Sequence, residues 1–124
     1  MPKINIQVTV GSNENKDSYK IKAIMNEEKI IYHEKDEKNT KVIFDWKNNL
    51  LIRNNSDILM TYPFDLNNKT IGNIEVKELN KYLNLSIETI KYDISDTKKE
   101  LKFKVEDEEI IYIIEVLKWV LLKI

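Results

Sequence analysis

One arginine stands among the basic residues of this chain: Arg53, against nineteen lysines. Its guanidinium is a planar fork that binds carboxylates or phosphates two-handed, or lies flat on an aromatic ring. As a binding group it would meet an anionic group of a ligand. As a structural group it would pair with a carboxylate or stack on a ring such as Trp46. The structural use is the commoner one. His33 is the single histidine and there is no cysteine. One imidazole without thiolates makes a poor zinc site, so no metal is expected. The acidic clusters Glu27-Glu28 and Asp107-Glu108-Glu109 fall where turns are expected, and turn carboxylates are solvated rather than tuned for acid–base work. Ser12, Ser18, Ser56, Ser86 and Ser95 lack the context of a nucleophile elbow. Gly11 and Gly72 are too far apart for a phosphate loop. No catalytic residue and no cofactor are expected, and the chain is not read as an enzyme.

The aromatics Tyr19, Tyr32, Phe44, Trp46, Tyr62, Tyr92 and Phe103 are spread at a period of two. That spacing suits an interior wall. Something must carry them, and the stretch Thr40–Pro63 shows what. Val42, Phe44 and Trp46 alternate with Lys41, Asp45 and Lys47. Asn48-Asn49 breaks the pattern, Leu50–Arg53 resumes it, Asn54-Asn55 breaks it again, and Ile58, Met60 and Tyr62 carry it on. Asparagine tolerates positive φ, so each pair predicts a tight hairpin turn.

The same period runs through most of the chain. Ile4, Ile6, Val8 and Val10 share one face, as do Tyr19, Ile21, Ala23 and Met25. Lys29–Glu34 is a strand with two adjacent isoleucines and an undecided inner face. Thr70–Lys77 is a strand in which Gly72 marks a bulge or a close approach. Residues 78–83 read as a strand connection in preference to two helical turns. In Leu85–Ser95 the apolar phase slips from Leu85/Ile87 to Ile90/Tyr92/Ile94, which predicts a bulge at Glu88-Thr89. Leu101, Phe103 and Val105 alternate again, and a last strand runs from Glu109 to about Leu117. The end, from Leu117, continues that strand or caps the fold. Nine or ten strands with hairpin-length connections predict an all-β antiparallel up-and-down meander. Closing it into a barrel removes its two edges. The whole chain, 1–124, is read as one domain.

The 20 Lys+Arg and 21 Asp+Glu give a formal net charge of -1. That balance provides no general attraction to nucleic acid or anionic membrane. Ile and Asn abound, Ala23 is the single alanine, and lysine dominates, a bias that reads as an AT-rich genome. The first ten residues lack a continuous apolar run and are not read as a signal peptide. Ile110–Ile124 is broken by Glu115, Lys118 and Lys123 and falls short of the roughly 20 apolar residues of a membrane span. A cytoplasmic location is expected.

The order of features also resembles the small bacterial YwiB-like proteins, an uncharacterised group with a calycin (lipocalin-like) β-barrel fold. The resemblance rests on Ile31-Tyr32 followed by Glu34, on Thr40-Lys41, and on Leu51-Ile52-Arg53. Gly72 opening a strand and Ile87-Glu88-Thr89-Ile90 before two final strands complete it. Where the family places a glycine shortly after the arginine, Asn54-Asn55 stand here. The resemblance implies a barrel of about 8–10 strands and no mechanism, and such barrels either hold one small ligand or fill with side chains. The expected role is therefore a binding module for a small apolar or amphipathic molecule, or for a protein partner. Arg53, Tyr32, Phe44, Tyr62 and Tyr92 would be its ligand-binding residues. The alternative is a filled barrel acting through its surface or its C-terminal apolar segment. Large side chains on so many strands favour filling. Monomer and homodimer are both open.

Overall fold

The computed structural model describes residues 3–119. Ten strands follow one another: β1 (Lys3–Gly11), β2 (Lys16–Met25), β3 (Lys29–His33), β4 (Lys41–Asp45), β5 (Leu50–Asn54), β6 (Ile58–Pro63), β7 (Thr70–Val76), β8 (Lys81–Ile94), β9 (Lys98–Val105) and β10 (Glu108–Trp119). Each pairs antiparallel with its sequence neighbour, and β1 pairs with β10 from Ile4↔Trp119 to Gly11↔Ile111. The sheet is therefore a closed barrel, as the unbroken alternation predicted. No α-helix occurs among the described residues.

The inner face repeats the two-residue pattern. Ile4, Ile6, Val8, Ile30, Val42, Phe44, Ile87, Leu101, Phe103 and Ile114 fill the middle of the barrel. The undecided face of β3 is settled by Ile30 and Tyr32, which are buried while Ile31 is not. Closure is uneven. Most seams run for four residue pairs or more, but β2 meets β3 only through Ile24↔Ile31 and Met25↔Ile30. The first half of β2 thus leans over one end of the barrel without a partner on that side.

Several local expectations are corrected. Of the two Asn pairs, only the first turns through positive φ, at Asn49 (φ 58°). In the second, the Asn55 side-chain oxygen accepts from the backbone N–H of Asp57 and Ile58 at 2.8 and 3.0 Å. That turn is closed by a side chain mimicking backbone, so it needs no left-handed residue. The slip in β8 lies between Thr89 and Lys91. Thr89 stays inside and Ile90 turns out, 39% exposed. Residues 77–80 form a turn closed by Asn80 (φ 50°), and β8 starts at Lys81. The C-terminal segment continues as strand to Trp119, and any cap beyond it lies outside the described residues.

Candidate functional site

The barrel has two unlike ends. At one, β1–β2, β3–β4, β5–β6, β7–β8 and β9–β10 make their turns, and there Arg53 points inward from β5. Register sets it opposite Val42 on β4 and Met60 on β6. One of its terminal nitrogens pairs with Glu34 Oε1, at the end of β3. The sequence's structural reading of Arg53 as half of an ion pair is realised, while stacking on Trp46 is not. Trp46 lies at the opposite end. Arg53 Nε, however, is buried and has no hydrogen-bond partner. Desolvation opposes the charge on Arg53, but the Glu34 contact outweighs it and the guanidinium holds its proton more tightly than usual.

Beside this pair lies a group of phenols. Tyr32 and Tyr112 share a hydroxyl–hydroxyl bond of 2.5 Å, both almost fully buried. Tyr19, from the first half of β2, lines the same cavity as Tyr32 and Tyr112, and its hydroxyl feels that of Tyr32. Burial pushes all three hydroxyls up from their ordinary value, those of Tyr32 and Tyr112 far beyond the range of working pH. They are neutral donors and acceptors, never phenolates, under physiological conditions.

These groups wall a cavity of about 450 Å³. Arg53, Glu34, Tyr19, Tyr32 and Tyr112 supply its polar side, with Asp17 at the rim. Val42, Leu51, Met60, Tyr62, Phe103 and Ile110 supply the apolar side. Of the residues expected to bind a ligand, Arg53, Tyr32 and Tyr62 come together here. Phe44 and Tyr92 do not reach it. Phe44 is wholly buried below, edge-on to Tyr112 at 5.9 Å and to Trp46 at 5.9 Å. Tyr92 stands at the far end, where its hydroxyl donates to Asn49 Oδ1 at 2.9 Å and burial pushes it up to about 12. The barrel is thus filled through its middle and hollow towards its ends, so neither bare expectation describes it alone.

Tyr112 and Glu34 were missed as site residues. Tyr112 sits in phase with Ile110 and Ile114 within IIYIIEV, so alternation places it inward. Only the fold shows that its hydroxyl meets that of Tyr32, 80 residues away. A larger hollow of about 830 Å³ lies along β2 and β3, bordered by Lys20, Lys22, His33, Glu34 and Asp36. It is open and lined by solvated charge, so its size does not recommend it over the aromatic interior.

The far end carries an open hollow of about 660 Å³, with Lys99 and Trp46 in its wall. Lys99 is 3% exposed, projects inward from β9, and gives its ammonium to the Ser95 carbonyl and to the face of Trp46, 4.8 Å from the ring centre. Desolvation lowers its proton affinity. The ring and the carbonyl favour the charged form and offset part of that penalty.

The role of the Arg53–Glu34 pair can be weighed directly. Arg53→Lys keeps the charge and loses the planar fork. The two side chains are 36% and 20% exposed, so water screens the pair. A loss of about 1 kcal/mol in a urea melt is expected, shrinking in high salt. An unchanged midpoint would remove the structural account of Arg53.

Fold and cavity together define a class: a small closed all-β barrel of ten antiparallel strands with an aromatic-lined cavity at the Arg53 end. No family model matches the chain, and no curated protein sequence matches it. Among solved structures its fold is similar to that in the "Crystal structure of ywiB protein from Bacillus subtilis", with a TM-score of 0.61. The match covers 97% of this chain and 93% of that one at 14% identity. At that identity the likeness is one of fold, and the fold is YwiB-like, as the spacing of residues in the sequence suggested.

Proposed function

We propose that this protein is a binding module that holds one small amphipathic molecule in the cavity at the Arg53 end. The observation that carries this reading is the pairing of an apolar, aromatic-lined hollow with a buried donor that has no partner. Ligand sites are commonly hollows of about 300–1,000 Å³ with a few convergent polar groups, and this one falls in that range. Buried donors are ordinarily satisfied, so an orphaned one in the wall of a hollow suits an acceptor brought from outside, once a small shift of the Arg53 side chain uncovers it. The outer face, with Lys20 and Lys22 exposed on β2, Lys41 on β4 and Glu88 on β8, suits a barrel that works in water, in the bacterial cytoplasm. The calycin relationship belongs to this proposal too, since lipocalin-like barrels use their interiors in this way.

A second reading has its own support. Leu79, Tyr82 and Leu83 are each more than half exposed near the tip of the β7–β8 hairpin, and Ile71 is exposed farther along β7, opposite Ser86. Exposed apolar side chains gathered on one hairpin suit a protein partner or a second copy of the chain.

Native mass spectrometry of protein purified from its host separates the two. The first reading expects a one-to-one small-molecule adduct that is lost in Tyr62→Trp, where the larger ring occupies the cavity. A bare protein mass with a bound partner or dimer would sink it in favour of the second.

A further inference from the structure

Resting on the binding reading, the geometry points to the head group of the ligand: an uncharged hydrogen-bond acceptor, such as an amide or ketone oxygen, on an apolar body. The inference comes from matching donors, acceptors and charge around the cavity.

Donors are in surplus. Tyr32 bonds to Tyr112 and neighbours Tyr19, while Tyr19 and Tyr112 act on each other only through space. Three phenols with at most two bonds among them leave one O–H to be satisfied. Arg53 Nε–H is a second unsatisfied donor. The matching group on a ligand is an acceptor, and an ammonium head, which has only donors, fails that test.

Charge argues against an acid. Glu34 already neutralises Arg53. Asp17 lies on the cavity rim, and the Asp36 carboxylate, held by the Thr40 N–H at 2.9 Å and the Thr40 hydroxyl at 2.6 Å, acts on Arg53 from the β3–β4 turn. A carboxylate head would therefore face Glu34 and Asp17, with Asp36 behind them, and one guanidinium already in use. To reach Arg53 it would have to displace Glu34 and leave that charge partly buried, which is costly. A neutral oxygen accepts from Tyr and Arg donors without disturbing the pair.

The test uses three probes with the same tail: decanamide, decanoate and decylammonium, titrated into the full-length protein by calorimetry at neutral pH. Decanamide is expected to bind at least about tenfold more tightly than either charged probe, the discrimination one well-placed polar contact supplies. In Glu34→Gln, where Arg53 loses its counter-charge, the order is expected to invert, with decanoate ahead of decanamide. Decanoate ranking first in the unmodified protein, or all three probes binding alike, would overturn the head-group inference while leaving a binding cavity. Binding by none of them would overturn the binding reading itself.

Discussion

On raising the pH through about 10, this protein is expected to lose stability steeply, and the loss should be traceable to two tyrosines. Tyr32 and Tyr112 are 2% and 4% exposed and share one hydrogen bond. Burial is the first cause that pushes both hydroxyls up, well above the value of roughly 10 that they have in an unfolded chain. A folded-state value above the unfolded one means that the folded form keeps protons the unfolded form gives up. The stability tied to those protons is complete below about pH 10 and drains away as pH climbs toward the folded values. Each group that ionises only on unfolding contributes a slope that rises to about 1.4 kcal/mol per pH unit, so the pair gives roughly 2 kcal/mol between about pH 10 and 11 and roughly 3 kcal/mol over the next unit. Against a total of about 5–15 kcal/mol for a domain, that is a large fraction.

Lys99 acts with the opposite sign. Its proton affinity is lowered by burial, so it costs stability near neutrality, and the cost fades as pH approaches the unfolded lysine value of about 10.4. The expected profile is flat or gently rising to about pH 10 and then falling. Urea melts at stepped pH check this. Tyr32→Phe and Tyr112→Phe should each cost about 1 kcal/mol at neutral pH for the lost hydroxyl bond, and each should remove a like share of the alkaline slope, the remainder coming from Tyr19, Tyr62 and Tyr92, whose hydroxyls burial also pushes up. An alkaline slope unchanged in the double variant would refute the assignment.

How much of this was legible beforehand depends on the kind of information each feature needs. The barrel was readable because alternation is local. A strand with one face in the core must repeat every two residues, and Ile4-Ile6-Val8, Val42-Phe44 and Leu101-Phe103 do so without interruption. Closure followed from the same pattern, since a long meander otherwise leaves two edges unpaired. Turn chemistry was half readable. Asn49 adopts the positive φ that its type allows, but Glu106 also does so (φ 55°), and nothing in its type announces it. Its carboxylate accepts the Ser86 N–H at 3.1 Å, a contact set by the neighbouring strand. The site was legible residue by residue but not as an assembly. Arg53 stood out by rarity, and Tyr32 and Tyr62 by phase. Which end of the barrel each reached depended on register, which is why Phe44 and Tyr92 were grouped with them and lie elsewhere. Lys99 was hidden for a related reason. In a chain with nineteen lysines, one that is buried looks like the rest.

Gly72 offers the second large effect and ties the wall of the cavity to the strand behind it. Its backbone torsion is ordinary, so the requirement for glycine is one of space. A Cβ at this position would stand 2.6 Å from Ile87 Cδ1 and 2.8 Å from Tyr62 Cδ1. Ile87 is wholly buried and has no room to retreat. Tyr62 has the cavity on its other side. Strain from Gly72→Ala should therefore be relieved by pushing the Tyr62 ring into the hollow, away from its edge-on contact with Phe103 at 6.1 Å. Overpacking of this kind costs about 1–3 kcal/mol, and Gly72→Val should exceed the alanine variant. The displaced ring should also lower ligand affinity by at least about tenfold, because the cavity shrinks while Arg53 and the phenols are untouched. Combining Gly72→Ala with Tyr62→Leu should recover part of the stability, since the smaller side chain yields the space, and the two changes should be markedly non-additive. If Gly72→Ala melted like the unmodified protein, the close approach of β7 to Tyr62 would be wrong. If it were destabilised yet bound ligand as well as before, Tyr62 would not form the cavity wall, and the glycine would serve the barrel without serving the site.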